Sequence, residues 1–138
     1  MAGYSGTPLP QKLGIKPGSR LRFVAAPQGF AVALGALPTG VNFVSRGAAD
    51  VVVFFTASRA ELKKRFRAVA SGLDPAGGVW IAWPKKSSGV ATDLDENAVR
   101  DIGLAEGLVD NKVCAIDDTW SGLRFVVRLA DRGRPRSR

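Results

Sequence analysis

The segment GGVWIAWPKKSSGVATDLDENAVRDIGLAEG (residues 77–107) changes character sharply at one proline and indicates the fold of the whole chain. Its first part, VWIAW at residues 79–83, is apolar and aromatic, as expected of a buried strand. Pro84 ends this run, and a polar loop leads into a helix-like stretch. Because open α/β sheets bind ligands at the carboxyl ends of their strands, this loop is a candidate binding site. It consists of Lys85, Lys86, Ser87, Ser88 and Gly89.

Further strands and helices alternate along the rest of the chain. The stretch DVVVFFT at residues 50–56 is almost entirely apolar, which is typical of a central parallel strand covered on both faces. Other strands are predicted at residues 20–25, 41–44, 112–116 and 123–129. A helix is predicted after Pro27, with apolar residues at positions 30, 34 and 37.

Two longer helices are predicted from their capping residues. Ser58 and Glu61 have the spacing of a capping box, in which Glu61 reaches back to the start of the helix. The basic residues of this helix are interpreted as a solvated face. Thr92, Asp93 and Asp95 are alternative N-caps for the second helix, and Gly107 is its expected C-terminal cap.

This alternation predicts a single three-layer α/β domain with helices on both faces of the sheet. The sheet is expected to be mostly parallel, to have about six strands and to end in a C-terminal antiparallel hairpin. The expected organisation is an N-terminal arm at residues 1–18, the α/β domain at residues 19–130 and a basic disordered tail at residues 131–138. The arm, with Tyr4, Ser5 and Thr7, is expected either to cover the sheet rim as a lid or to protect a strand edge.

Composition excludes several classes of site. The 138 residues are 46% hydrophobic and suffice for one domain with a core. They include one cysteine and no histidine, so we expect no disulfide and no metal site. A reducing cytoplasmic location fits this cysteine usage. The longest apolar run is too short to span a bilayer, so no membrane interaction is expected.

The net charge is +8, and the C-terminal tail contributes strongly to it. A mobile basic tail attracts polyanions weakly and without specificity, although it can equally be a solvated end that aids solubility. Its cationic residues are Arg132, Arg134, Arg136 and Arg138.

Other polar residues are expected to gather at the same rim as the lysine loop, because they also follow predicted strands. They are Gln28, Ser58, Arg59, Asp117, Asp118 and Trp120. Ammonium groups, hydroxyls and loop amides suit an anionic small molecule. A solvated lysine loop and a tight turn made by the aspartates are the alternative interpretations.

The order of elements resembles the nucleoside-dependent methyltransferase fold, and LDPAGGVWIAW at residues 73–83 looks like that fold's turn into its fourth strand. Two functional features of that fold are missing. The first strand is followed by Ala25-Ala26-Pro27-Gln28-Gly29, with a single glycine, and the second by Ser45-Arg46-Gly47, without an acid for a ribose. We therefore expect no cofactor, neither adenosylmethionine nor a nicotinamide dinucleotide.

Three longer motifs resemble the bacterial "domain of unknown function 3052" family. They are YSGTPLPQKLGIKPG (residues 4–18), WPKKSSGVATDL (residues 83–94) and KVCAIDDTWSGLRFV (residues 112–126). The resemblance covers roughly residues 2–129 and implies a small, stand-alone cytoplasmic bacterial protein without an assigned activity.

Three classes of function follow from these patterns. The first is a binding or regulatory module that has lost a cofactor site and keeps an anionic small ligand or a protein partner. The second is an enzyme that uses Lys85 or Lys86 as an electrophile and Asp117 or Asp118 as a base. The third is a nucleic-acid binder that uses the tail and the basic helix, although no recognised nucleic-acid motif supports it.

Overall fold

The computed structural model describes residues 7–131 as a six-stranded sheet with helices on both faces. The strands are β1 Arg20–Val24, β2 Asn42–Phe43, β3 Ala49–Phe55, β4 Leu73–Pro84, β5 Leu108–Ala115 and β6 Trp120–Val127. The helices are α1 Leu9–Lys12, α2 Phe30–Leu34, α3 Arg59–Ser71 and α4 Glu96–Ala105. Short 3₁₀ turns occupy Lys86–Ser88 and Leu129–Asp131.

The strand order is β2-β1-β3-β4-β6-β5. Strands β2, β1, β3 and β4 are parallel, whereas β6 runs antiparallel to both of its neighbours, β4 and β5. The predicted fold class is therefore confirmed, including the C-terminal hairpin. The chain leaves β1 toward β2 on one side and returns to β3 on the other, so the topological switch point lies between β1 and β3.

Alternation along the central strands divides the core between the two faces. On one face, Val52 and Phe54 of β3 pack with Leu62 and Phe66 of α3. On the other face, the remaining valines of β3 and Phe55 pack with residues of α1 and α2. Successive side chains of a strand point to opposite faces, so an apolar run such as VVVFF requires a helix layer on each side.

The N-terminal arm is packed against the second of these faces. Leu9, Leu13 and Ile15 are buried there, and the indole N–H of Trp80 donates to the carbonyl of Leu13 at 3.0 Å. At the edge strand β5, the Lys12 ammonium donates to the carbonyl of Ala115 at 2.9 Å. Residues 9–15 thus contribute to the core directly.

The start of α3 uses a different arrangement from the predicted capping box. The Ser58 hydroxyl accepts the backbone N–H of Glu61 at 3.1 Å, as expected of an N-cap. Glu61 does not reach back to Ser58, however, because the Thr56 hydroxyl donates to its carboxylate. The same Thr56 oxygen accepts the backbone N–H of Ser58 at 3.2 Å.

Several predicted boundaries were wrong. Helix α2 ends at Leu34 rather than near residue 37, because Gly35 has φ +72° and stops the helix. Strand β5 begins at Leu108 rather than at residue 112, directly after Gly107 at φ +89°. Strand β6 ends at Val127, and Leu129 lies in a 3₁₀ turn with 79% of its surface exposed, so it is not a strand residue.

Two expectations fall wholly or partly beyond this description. The arginine tail from Arg132 onward and the arm residues Tyr4 and Ser5 lie outside the described residues. Within residues 7–131, no helix combines the length and apolar character needed to cross a bilayer.

Candidate functional site

The loops that follow β3 and β4 are joined to each other and to the β5–β6 turn by hydrogen bonds. The backbone N–H of Lys85 donates to the carbonyl of Thr119 at 2.8 Å. The Thr92 hydroxyl donates to the carbonyl of Ala57 at 2.7 Å, on the loop after β3. These contacts join the three loops at the carboxyl ends of the strands. We call this surface, formed by residues 57–59, 85–93 and 117–120, the rim.

In the lysine loop, the Ser88 hydroxyl forms hydrogen bonds within the loop's own turn. The Ser88 hydroxyl donates to the carbonyl of Lys85 at 2.6 Å and accepts the N–H of Val90 at 3.1 Å. Gly89 closes the turn at φ +78°. Lys85 is half-buried, Lys86 and Ser87 are exposed, and neither lysine forms an ion pair within residues 7–131. The loop therefore presents positive charge that its described neighbours do not neutralise.

The β5–β6 turn is organised by Asp117. Its Oδ1 accepts the backbone N–H groups of Thr119 and Trp120, both at 2.8 Å, which is the tight turn that the sequence offered as an alternative. Asp118 is exposed on the same turn. The ring of Trp120 does not face outward as an open platform, since it packs edge-on against Phe55 with ring centroids 5.2 Å apart.

The structure separates the other predicted site residues: Ser58 and Arg59 lie at the rim, whereas Gln28 lies beside α2. Ser58 is the N-cap of α3, and Arg59 is bound to Asp93 through its backbone N–H, at 2.7 Å, and its guanidinium. Gln28 is exposed on the loop after β1. Ser58 and Arg59 thus hold the rim together, and Gln28 faces a separate apolar hollow of about 270 Å³ beside α2.

The switch point between β1 and β3 is filled by an aromatic side chain. Phe30, at the start of α2, is 2% exposed. Its ring lies 5.0 Å from that of Phe23 on β1 and 4.8 Å from that of Phe55 on β3, both in edge-to-face geometry. Phe43 and Trp120 extend this row of rings on either side. Aromatic side chains of the protein therefore pack together at the switch point, where such sheets bind ligands.

The loop between β1 and Phe30 carries backbone strain. Ala25 adopts φ +59°, a left-handed conformation that costs an ordinary residue about 1–2 kcal/mol. Such strained residues persist where the surrounding structure fixes them, and they cluster at active sites, ligand clamps and switch regions. Ala25 lies in the loop between β1 and α2, at the carboxyl end of β1.

A groove of about 650 Å³ opens between α1 and α2, next to the β5–β6 turn. We call it the α1–α2 groove. Its walls come from residues 7–10 and Lys12, from residues 32–36 and from residues 115–118. The sequence placed Asp117 and Asp118 at the rim and Thr7 in an arm that could cover it, and all three line the groove. It did not indicate the remaining lining residues, because no single stretch carries the pattern of the groove.

Cys114 lies on the sheet face that α1 covers, beside three lysines. Burial raises the pKa of its thiol, and the charges of Lys12, Lys112 and Lys85 act in the opposite direction. Since burial is the larger effect, the thiol stays protonated at neutral pH, as expected of an unreactive cysteine. No cluster of possible metal ligands occurs in the part of the chain that the structure describes.

Searches for related sequences find no matching family model and no matching curated protein. The resemblance to the domain of unknown function 3052 family is thus not confirmed.

Solved structures with a similar fold are numerous, and their sequence identity is low. A protein assigned as a type 11 methyltransferase from Sulfolobus solfataricus aligns with a TM-score of 0.63 and 13% identity, over 94% of this chain and 95% of that chain. Magnesium protoporphyrin IX methyltransferase from Synechocystis PCC 6803, crystallised with bound SAM, aligns with a TM-score of 0.55 and 13% identity, over 87% and 74%.

A third similar structure has a different activity. Precorrin 8w decarboxylase of Methanobacterium thermoautotrophicum aligns with a TM-score of 0.52 and 10% identity, over 87% of each chain. These likenesses define the class of fold: the chain has a methyltransferase-like, Rossmann-type α/β fold. A fold shared by several activities does not by itself assign one of them to this chain.

Proposed function

We propose that this chain is a small-molecule binding module whose site is the rim, and that its ligand is an anion which also carries hydrogen-bond donors. The observation that supports this most directly is the pair Lys85 and Lys86, which lacks ion-pair partners within residues 7–131 and adjoins the turn that bears Asp117 and Asp118. The lysines attract an anion, and the carboxylates accept hydrogen bonds from donors on the same ligand.

The charges at the rim favour a weakly charged anion. The two carboxylates repel a phosphate dianion more strongly than a hydroxycarboxylate, which offsets the stronger attraction of the dianion to the two ammonium groups. The repulsion and attraction both act at the protein surface, where they are screened by water and salt. The anionic group of the ligand is therefore expected to carry a single charge.

Adenosylmethionine, which one of the similar proteins binds, does not fit the residues of this chain. The region between Phe23 and Ser45 contains no charged residue, so it offers no carboxylate to a ribose and no counter-ion to the cofactor's charged groups. Phe30 fills the switch point, and α2 has only five residues. A role in methyl transfer is accordingly not part of the proposal.

Binding is favoured over catalysis because the chain has no histidine, which is the commonest general base. The Oδ1 atom of Asp117 accepts two backbone N–H groups that build the turn. Its second oxygen is left to accept a hydrogen bond from a ligand.

A thermal-shift comparison tests the proposal. Lactate and glycolate should raise the melting temperature more than acetate or inorganic phosphate, because a ligand that binds only the folded state stabilises it. Replacing Lys85 and Lys86 together by Met should weaken this binding at least tenfold, roughly 1.4 kcal/mol. Stability without ligand should hardly change, since exposed charges contribute about 0–1 kcal/mol.

Lys63 and Lys64 provide the matched control. They are an adjacent, exposed lysine pair on α3, and their replacement by Met should leave binding unchanged. Equal loss of binding in both double variants would show that only net charge matters. Binding by the Lys85 and Lys86 variant at wild-type strength, or the absence of any stabilising anion, would contradict the proposal.

A further inference from the structure

The α1–α2 groove has the size and lining of a small-molecule site. Its volume of about 650 Å³ falls within the roughly 300–1,000 Å³ that is common for such sites. Most of the lining is apolar, and the polar side chains come from Thr7, Lys12, Asp117 and Asp118. The groove can therefore cover an apolar body and hold polar groups at one end.

The apolar wall of the groove combines buried side chains with one exposed valine. Leu9, Leu34 and Ile116 are buried and line the groove from the core side, whereas Val32 of α2 has 86% of its surface exposed. An apolar side chain on a concave surface is stabilised when another apolar group covers it and displaces water. Val32 is thus the contact through which the groove would favour a ligand with an apolar body.

Charges of both signs occur at the polar end. The ammonium of Lys12 donates one hydrogen bond, to the carbonyl of Ala115, and an ammonium has three donors. Asp118 is exposed and has no partner within residues 7–131, and only Oδ1 of Asp117 is engaged in the turn. A ligand that carries both a carboxylate and an ammonium group matches both signs of charge there.

We propose that the α1–α2 groove binds a small zwitterion with an apolar body, of the amino-acid class with a large apolar side chain. The ligand's ammonium group pairs with Asp118, its carboxylate is held by Lys12, and its apolar body covers Val32. The β5–β6 turn that supplies Asp117 and Asp118 to the groove is also hydrogen-bonded to the backbone of Lys85, so the groove and the lysine loop share this turn. The inference rests on the proposed function and adds the class of ligand.

Four probes separate the parts of this ligand. Phenylalanine carries both charges and an apolar body, phenylacetate lacks the ammonium, phenethylamine lacks the carboxylate, and alanine lacks the body. Titrations of the whole chain by NMR or calorimetry should show phenylalanine binding at least tenfold more tightly than each of the other three. Asp118→Asn should reduce phenylalanine binding to the level of phenylacetate.

A charge placed in the groove provides the second test. Val32→Asp should weaken phenylalanine binding at least tenfold, whereas Leu129→Asp should not. Both residues are highly exposed, so neither variant is expected to affect folding, and Leu129 does not line the groove. Far-UV circular dichroism of both variants verifies the fold.

The results of these experiments distinguish failure of the zwitterion inference from failure of the proposed anion-binding function. If phenylalanine binds no better than the other probes, or if Val32→Asp binds it as well as the wild type, the inference is wrong. If hydroxy acids still bind and depend on Lys85 and Lys86 in that case, the proposed function stands alone. If neither phenylalanine nor any anion binds, both are wrong.

Discussion

At the scale of single residues, side chains that suggested a ligand site share their polar atoms with local turns. The side chains of Ser88 and Asp117 each form hydrogen bonds with backbone groups no more than three residues away, as short polar side chains commonly do in loops. The lysines differ because their ammonium groups lie at the end of long stems and cannot stabilise such turns as readily. Function at the rim is therefore expected to depend on Lys85 and Lys86 more than on Ser88.

Gly103 illustrates a residue whose role is packing. It is buried in α4, and a Cβ at this position would overlap the ring of Phe125, which is fully buried and contacts Phe66. Gly103→Ala should therefore destabilise the fold by about 1–3 kcal/mol through overpacking, although alanine favours a helix by roughly 1 kcal/mol. Chemical denaturation measures the change.

The matched control for this prediction is Gly29→Ala. Gly29 has an ordinary φ, and a Cβ there would meet open space, so its replacement should be neutral or slightly stabilising. Equal unfolding free energies for the two variants would mean that α4 and β6 can separate without cost, which contradicts the packing argument.

At the scale of elements, an ion cluster fixes three strands at the rim opposite the candidate site. The Arg20 guanidinium of β1 contacts Asp50 of β3 at 2.7 Å and Asp74 of β4 at 3.0 Å. Asp50 also accepts the backbone N–H of Arg20 at 2.8 Å. The contact with Arg20 holds the pKa of the Asp50 carboxyl below its ordinary value of 3.8.

This lowered pKa predicts how stability depends on pH. Since the folded state binds the Asp50 proton less tightly than the unfolded state, the stabilisation is present above pH 3.8 and is lost as pH falls through the folded-state value. The difference in unfolding free energy between wild type and Asp50→Asn should therefore shrink as pH is lowered below about 4. Urea denaturation between pH 3 and pH 7 measures it.

Asp118→Asn is the control for the pH series, because Asp118 is exposed and forms no ion pair within residues 7–131. Its replacement should change the unfolding free energy little, because an exposed side chain without an ion-pair partner contributes little stability. A difference between wild type and Asp50→Asn that does not change with pH would show that the cluster contributes no net stability in the folded state.

At the scale of the whole molecule, the sequence determines the layers more clearly than the site. The run VVVFF predicts a central strand, because burial on both faces requires apolar residues at consecutive positions. The alternation around Leu123 and Phe125 predicts a strand with one buried face. The start of β5 was missed because Asp110, Asn111 and Lys112 are polar and a register irregularity interrupts the strand there. The α1–α2 groove combines residues more than 100 positions apart, so no local pattern reveals it.

The arrangement of the whole molecule also predicts whether this chain binds adenosylmethionine, the cofactor that a similar protein binds. Calorimetric titration with adenosylmethionine and adenosylhomocysteine should show no binding at micromolar concentrations. The physical reason is that Phe30 occupies the switch point, while the surrounding segment from Phe23 to Ser45 provides no charged group. The Synechocystis methyltransferase is the positive control, since it was crystallised with bound SAM.

Tryptophan fluorescence supplies an independent measurement of the same prediction. Trp120 packs on Phe55, which in turn contacts Phe30, so a cofactor that displaced Phe30 would disturb the environment of an indole ring. The emission should therefore stay unchanged as adenosylmethionine is added to the wild type. Micromolar binding together with a change in emission would mean that the row of rings opens to admit the cofactor, and the chain would then have to be considered as a methyltransferase.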